Sequence, residues 1–155
     1  MNYSLDKIDL TILSSLQLNA RLQNTELAKK CGMAPSAVLE RVKKLEQKGI
    51  IKDYITKIDP VALNLKLLAF ISIKSSAGPG DASTAKLIAK IPEVLEVHHI
   101  AGDDCYLVKI RTEDPQSLIK LMREKFGKIP NIISTKTTIV LETLKEDNYL
   151  PVPKS

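Results

Sequence analysis

Apolar side chains recur every three or four positions at the start of the chain, which is the spacing of an amphipathic helix. This spacing predicts a helix over residues 5–18. Asp6 and Asp9 fall in its first turn, where acidic side chains interact favourably with the helix dipole. The inward stripe consists of Leu5, Ile8, Ile12, Leu13 and Leu16.

Two further helices follow at short intervals. The second is predicted over Thr25–Cys31, with Asn24 as its N-cap. After a turn at residues 32–34, Pro35 takes the first position of the third helix, where a missing N–H costs nothing. That helix is expected to run to about Lys48 and to end at Gly49.

The third helix has an apolar face and a basic face. Val38, Val42 and Leu45 share the apolar one. A basic face with small residues, on the second helix of a short helix–turn–helix, is what entry into the DNA major groove requires. The outward side chains are Ser36, Ala37, Glu40, Arg41 and Lys44, with Lys43 on the flank. Arg41 can fork onto guanine or clamp a phosphate, and the lysines can neutralise phosphates. A three-helix bundle with a charged exterior is the alternative.

Charge is concentrated in the same region. The net charge is +5, and residues 1–58 hold 10 Lys and Arg against 6 Asp and Glu. Residues 59–155 are nearly balanced, with 13 against 12. A basic N-terminal third is expected if that part touches a polyanion such as double-stranded DNA, although a solvated basic surface gives the same count.

Residues 50–58 are rich in β-branched side chains, which favour an extended backbone, so a strand is predicted there. Asp59-Pro60 breaks it, so a domain boundary is expected there. We therefore predict a DNA-binding domain with its connecting strand over 1–59, a second domain over 60–144, and a tail over 145–155.

The second domain contains a weak repeat of strand, helix and strand. Each helix ends in the same signal, Ile91-Pro92 and Ile129-Pro130, before the next strand. Two such units predict an α+β fold, a ferredoxin-like βαββαβ sandwich with four strands and two helices on one face. The six elements are 66–74, 82–91, 94–100, 106–111, 115–128 and 132–141.

Both faces of the predicted sheet carry apolar residues. In the first strand Leu67 and Ile71 lie on one face, while Leu68 and Phe70 lie on the other. Helices on one side leave the second face open. We therefore expect a dimer that buries sheet against sheet.

No catalytic or metal-binding constellation emerges from the sequence. His98 and His99 are adjacent in a strand and point to opposite faces, so they cannot chelate one metal together. Cys31 and Cys105 alone form neither a disulfide framework nor a zinc site. The N-terminus lacks a signal peptide, and the longest apolar run is Leu67–Ile71. A reduced, cytoplasmic protein with no cofactor and no membrane partner is expected.

The motifs together resemble the Lrp/AsnC family of feast/famine transcription regulators, over nearly the whole chain. The stretch at 39–46, Leu-Glu-Arg-Val-Lys-Lys-Leu-Glu, is quite specific to that family. Leu5-Asp-x-x-Asp9, Asn24-x-Glu26-Leu27-Ala28, Asp59-Pro60 and the turn Gly102-Asp103-Asp104-Cys105-Tyr106 accompany it. Family members usually have an acid where this chain has Cys105, and a capping serine where it has Ala34.

The resemblance implies a winged helix–turn–helix joined to a ligand-sensing domain. It implies a homodimer that assembles to tetramers or octamers and binds an amino-acid effector between dimers. Carboxylates and carbonyls of the turn would accept from the effector's ammonium group, while hydroxyls and backbone N–H groups would meet its carboxylate. The implied effector residues are Ala101, Gly102, Asp103, Asp104, Thr135 and Thr137.

Two other functions stay open on the sequence alone. One is an architectural DNA binder whose second domain only assembles the oligomer and takes no ligand. The other is an enzyme, because sirohaem decarboxylases share this two-domain outline and use His and Arg around a tetrapyrrole. His98, His99 and Arg111 are the residues that allow it. The basic N-terminal region and the intact recognition face favour a regulator, not an enzyme.

Overall fold

The computed structural model describes residues 4–77, 81–102 and 105–153. The chain folds into two compact units. One unit comprises the described parts of Met1–Lys57 and Lys145–Ser155, and the other is Ile58–Leu144. Among the described residues, no helix combines the length and apolar character needed to cross a membrane.

The first unit is a bundle of three helices: α1 (Lys7–Leu18), α2 (Asn24–Cys31) and α3 (Pro35–Gln47). The predicted apolar stripes pack against one another in its centre. The fully or nearly fully buried members are Ile12, Leu27, Ala28, Val38, Val42 and Leu45. α3 is followed by Gly49 at φ +66°, a left-handed conformation that suits glycine and stops the helix where predicted.

Two helix starts differ from the sequence prediction. α1 starts at Lys7, because Asp6 is its N-cap rather than a residue of its first turn. The prediction that Asn24 caps α2 is wrong, since Asn24 is already helical. The extended residue is Gln23, whose carbonyl accepts from the N–H groups of Glu26 and Leu27 at 3.0 Å each; its side chain makes no capping bond.

Residues 50–58 form no strand, contrary to the prediction. β-branched side chains favour an extended backbone, but a strand needs a neighbour with which to form a ladder. No described residue pairs with this segment in that way. Its side chains make other bonds: the Tyr54 hydroxyl donates to Glu46 Oε1 at 2.8 Å, and Lys57 Nζ donates to the Glu146 carbonyl at 2.7 Å. Ile55 is 75% exposed.

The second unit is a four-stranded antiparallel sheet with helices on one face. Its order along the sheet is β2-β3-β1-β4, so the two central strands are the first strand of each repeat. This confirms the ferredoxin-like α+β prediction. The elements are β1 (Leu67–Ser75), α4 (Ser83–Ile88), β2 (Val94–His99), β3 (Tyr106–Thr112), α5 (Pro115–Glu124), a 3₁₀ turn (Phe126–Lys128) and β4 (Ile132–Ile139).

Both helices of this unit are shorter than predicted. Beyond Ile88 the backbone tightens, and the Ile91 N–H donates to the Ile88 carbonyl three residues back. The residue before a proline avoids the α region, so the α-helix cannot continue up to Pro92. α5 likewise ends at Glu124 and continues as the 3₁₀ turn.

The register of β1 separates the two faces of the sheet. Ile71 lies opposite Val108 and is fully buried against the helices. Phe70 lies opposite Lys109 on the face that carries no helix, together with Leu68. The prediction that both faces are apolar therefore holds along β1.

Candidate DNA interface and ligand groove

The six residues predicted to face DNA lie together along one groove of the first unit. The groove has a volume of about 710 Å³. Ser36, Glu40, Lys43 and Lys44 are exposed, as expected for a face that meets a partner. Ala37 and Arg41 are half-buried, and all six residues line the groove.

Arg41 forms ion pairs with two carboxylates at the start of α1. For these carboxylates, the sequence predicts only an interaction with the helix dipole. Its Nη1 atom lies 2.7 Å from Asp6 Oδ2 and 2.8 Å from Asp9 Oδ1. Asp6 and Asp9 also form the capping box of α1, in which each accepts from the backbone N–H of the other. The pattern Asp-x-x-Asp is the only sequence signal for this arrangement.

These contacts shift the ionisation of both partners. The backbone N–H of Asp9, and after it the Arg41 guanidinium, hold the pKa of Asp6 below its ordinary value. Hydrogen bonds from Arg41 to Asp6 and then Asp9 raise the pKa of the guanidinium further. Both shifts favour the charged forms of Asp6 and Arg41 at neutral pH.

Of the predicted effector residues, the structure describes Ala101, Gly102, Thr135 and Thr137, and a single chain does not bring these four together. Ala101 and Gly102 are exposed in the turn after β2, with Gly102 at φ +137°. Asp103 and Asp104 lie outside the described residues. Beyond them, the Cys105 N–H donates to the Ile73 carbonyl at 2.8 Å.

Thr135 and Thr137 sit on β4, on the other side of β1. Thr135 is the register partner of Ile73, so β1 separates this strand from the turn. Both threonines are exposed and line a groove of about 660 Å³ between β4 and α5. Its wall includes the exposed residues Ile119 and Arg123, neither of which is among the predicted effector residues.

On sequence alone, two histidines and an arginine allow a tetrapyrrole enzyme, and each of the three contacts a different partner in the structure. His98 Nε2 lies 3.0 Å from Glu96 Oε2, whereas the ring of His99 packs against Tyr106 at 5.3 Å between centroids. The two histidines thus point to opposite faces, as predicted. Arg111 Nη1 donates to the Leu65 carbonyl at 3.4 Å. Within residues 4–77, 81–102 and 105–153, no cluster of three or more His, Cys, Asp or Glu could hold a metal.

Comparison with known families assigns both units. The family described as winged helix-turn-helix DNA-binding matches residues 5–52, and the Lrp/AsnC ligand binding domain matches residues 68–150. The chain is 37% identical to the leucine-responsive regulatory protein of Escherichia coli (strain K12), over 96% of this chain and 92% of that protein.

Solved structures of two regulators are similar to this chain over most of its length. A transcriptional regulator of Neisseria meningitidis, determined as an L-Met complex, superposes with a TM-score of 0.88 at 32% identity, covering 96% of this chain and 97% of that one. A feast or famine regulatory protein of M. tuberculosis, complexed with L-methionine, gives 0.88 at 29% identity, covering 97% and 100%.

A winged helix–turn–helix followed by a ligand-binding domain defines a DNA-binding transcriptional regulator. The chain belongs to the Lrp/AsnC family of such regulators. The relatives given above are regulatory proteins, in keeping with the regulator interpretation of the sequence.

Proposed function

We propose that α3 is the recognition helix and that it meets the DNA major groove through Ser36, Ala37, Glu40, Arg41, Lys43 and Lys44. The observation that carries this proposal is that all six side chains line one groove of the first unit. Small residues at the start of the helix admit the DNA surface closely, and the two lysines supply phosphate contacts.

The lysine contacts are tested by the salt dependence of binding to duplex DNA. Each phosphate contact contributes about 0.9 to the slope of log affinity against log salt concentration. Lys44→Ala is expected to lower the slope by about that amount. Lys120→Ala is the matched control, because Lys120 is an exposed lysine on α5 of the other unit. Equal slopes for the wild type and Lys44→Ala would remove Lys44 from the interface.

We also propose that DNA binding responds to an amino acid held by the turn at 101–104 and by Thr135 and Thr137. Two relatives were solved with L-methionine, and the family match includes a ligand-binding domain. Since β1 lies between the turn and the threonines, a complete site draws on a second copy of the chain, in line with an effector bound between dimers.

Thermal unfolding against each of the twenty amino acids tests this response. A ligand present at 100 times its dissociation constant adds about 2.7 kcal/mol, and a chain of this size gains about 2–4 °C per kcal/mol. Thr135→Val and Thr137→Val keep the shape but remove the hydroxyls, and should reduce the shift. Thr25→Val makes the same exchange at an exposed position of α2, in the other unit, and should not. If none of the twenty amino acids shifts the unfolding temperature of the wild type, the result would instead indicate an architectural DNA binder that takes no ligand.

Self-association through the helix-free face of the sheet completes the proposal. Phe70 lies half-buried on that face, and a partner sheet would cover it. We expect a dimer, further assembled to a tetramer or octamer, acting in the cytoplasm. Phe70→Glu should shift the mass measured by light scattering towards the monomer; an unchanged mass would place the interface elsewhere.

A further inference from the structure

We propose that Asp6 and Asp9 are positioning residues for DNA readout and that they act by orienting the Arg41 guanidinium. The inference rests on the proposed function, in which Arg41 faces the DNA. It assigns a role in sequence discrimination to two carboxylates of α1, a helix that does not itself supply the predicted DNA contacts.

The geometry uses every acceptor oxygen of the two carboxylates. Asp6 Oδ1 accepts from the Asp9 N–H at 2.9 Å, while Asp6 Oδ2 accepts from Arg41. Asp9 Oδ2 accepts from the Asp6 N–H at 3.3 Å, while Asp9 Oδ1 accepts from Arg41. One oxygen of each side chain is thus tied to the backbone at the start of α1, and the other reaches the guanidinium. The two side chains that bind Arg41 are therefore fixed by the helix terminus and do not rotate freely.

The same geometry leaves a defined part of Arg41 available. A guanidinium has five N–H groups, and the two on Nη1 are both directed at carboxylates. The described part of the chain supplies no further hydrogen bond to Nε and Nη2. These atoms form the fork that matches a guanine edge or a phosphate. Fixing Nη1 therefore fixes the plane of the fork beside Glu40 and Lys44 in the groove.

The net charge of the cluster indicates that the carboxylates orient Arg41 and do not serve to attract the protein to DNA. Two carboxylates and one guanidinium sum to one negative charge, so the cluster as a whole does not draw the protein towards phosphates. Arg41 then contributes directed hydrogen bonds, and the lysines contribute attraction. Disturbing the carboxylates should accordingly reduce discrimination between DNA sequences rather than overall affinity.

Competition between two duplexes tests the proposal with the full chain. One duplex is recovered by selection from random DNA with the wild-type protein, and the other is a scrambled duplex of equal length. An amide at position 9 exchanges one acceptor oxygen for a donor, so Asp9→Asn cannot accept both bonds. We expect the ratio of the two affinities to fall about tenfold, within the range for one bidentate contact, while scrambled DNA binds no more weakly. Asp6→Asn, at an exposed side chain, should act in the same direction.

Glu26→Gln is the matched control for charge, because Glu26 is an exposed acid in the first turn of α2. It changes the net charge equally and should leave the ratio unchanged. If Glu26→Gln lowers the ratio as much as Asp9→Asn does, the effect is one of charge and the positioning role is wrong.

A double-mutant cycle separates positioning from support of the fold. If Asp9 acts through Arg41, then Asp9→Asn has no further effect on the ratio in the Arg41→Ala background. An effect of the same size in both backgrounds would overturn the proposal, as would an unchanged ratio in both Asp9→Asn and Asp6→Asn. If Arg41→Ala and Lys44→Ala both bind the two duplexes as the wild type does, the proposed DNA face itself has failed.

Discussion

The side-chain amide of Gln17 binds both backbone groups of Leu150, 133 residues further along the chain. Gln17 Nε2 donates to the Leu150 carbonyl at 3.1 Å, and the Leu150 N–H donates to Gln17 Oε1 at 2.8 Å. With the bond from Lys57 to the Glu146 carbonyl, this pair ties residues 145–153 to the helical unit. The contact is mostly polar, since Leu150 itself is 71% exposed.

Gln17→Ala should release this segment without unfolding the helices. Solvent-accessible hydrogen bonds contribute little net stability, so we expect a loss of about 1 kcal/mol or less. The Leu150 N–H should exchange with solvent deuterium faster, and proteases should cut residues 145–153 more readily. Gln47→Ala, which removes an exposed amide from α3, should leave both unchanged. Unaltered exchange at Leu150 in Gln17→Ala would show that other contacts hold the segment.

The raised pKa of Tyr54 predicts that the stability of the fold depends on pH in the alkaline range. Partial burial, followed by the hydrogen bond to Glu46, raises the pKa of its hydroxyl to about 12. The unfolded chain ionises its tyrosine near pH 10, so the stabilisation is complete below that pH and is lost as the pH rises towards 12. In Tyr54→Phe, the free energy of unfolding should therefore fall less steeply between pH 10 and 12. Denaturant titrations at several pH values measure this; identical slopes would contradict it.

Ile71 predicts a large loss of stability confined to the sheet domain. It is fully buried between β3 and β4, so truncation leaves a cavity in the core of the sheet domain. Ile71→Ala should cost about 2–5 kcal/mol and Ile71→Val about 0.5–1.5 kcal/mol. Urea unfolding measures both, and Ile133→Ala, at a 59% exposed position of β4, provides the comparison. Equal losses at the two positions would contradict the core assignment.

The backbone conformation of Gly49 predicts that its replacement lowers stability through backbone strain and not through a steric clash. Its φ of +66° is left-handed, and nothing lies within 4 Å of a Cβ added there. Gly49→Ala should therefore destabilise the helical unit by about 1–2 kcal/mol through backbone strain alone. Gly49→Asn should lose less, because asparagine tolerates this conformation better. Thermal unfolding distinguishes the two, and equal losses would point to a steric cause.

The sequence predicted most of the elements because their signals are local. Helical spacing located the cores of α1 and α3, and the repeated Ile-Pro signal located the starts of β2 and β4. Residues 50–58 show where local signals stop, since β-branched residues favour extension but do not supply a pairing strand.

The candidate site was predictable in its composition but not in its contacts. The outward face of α3 follows from helical spacing, so its six residues could be named. The ion pairs of Arg41 join positions 32 and 35 residues apart, and no periodicity reports such a contact. The pairing of Gln17 with Leu150 is less visible still, because it uses backbone groups that every residue other than proline possesses.

The helical unit is discontinuous along the chain, since it combines residues up to 57 with the segment from 145 onwards. Exchanging DNA-binding domains between members of the family at one crossover near residue 58 would thus join a new helical bundle to a C-terminal segment fitted to the old one. Gln17 and Leu150 would then come from different parents. A chimera that preserves this unit needs two crossovers, one on each side of Ile58–Leu144.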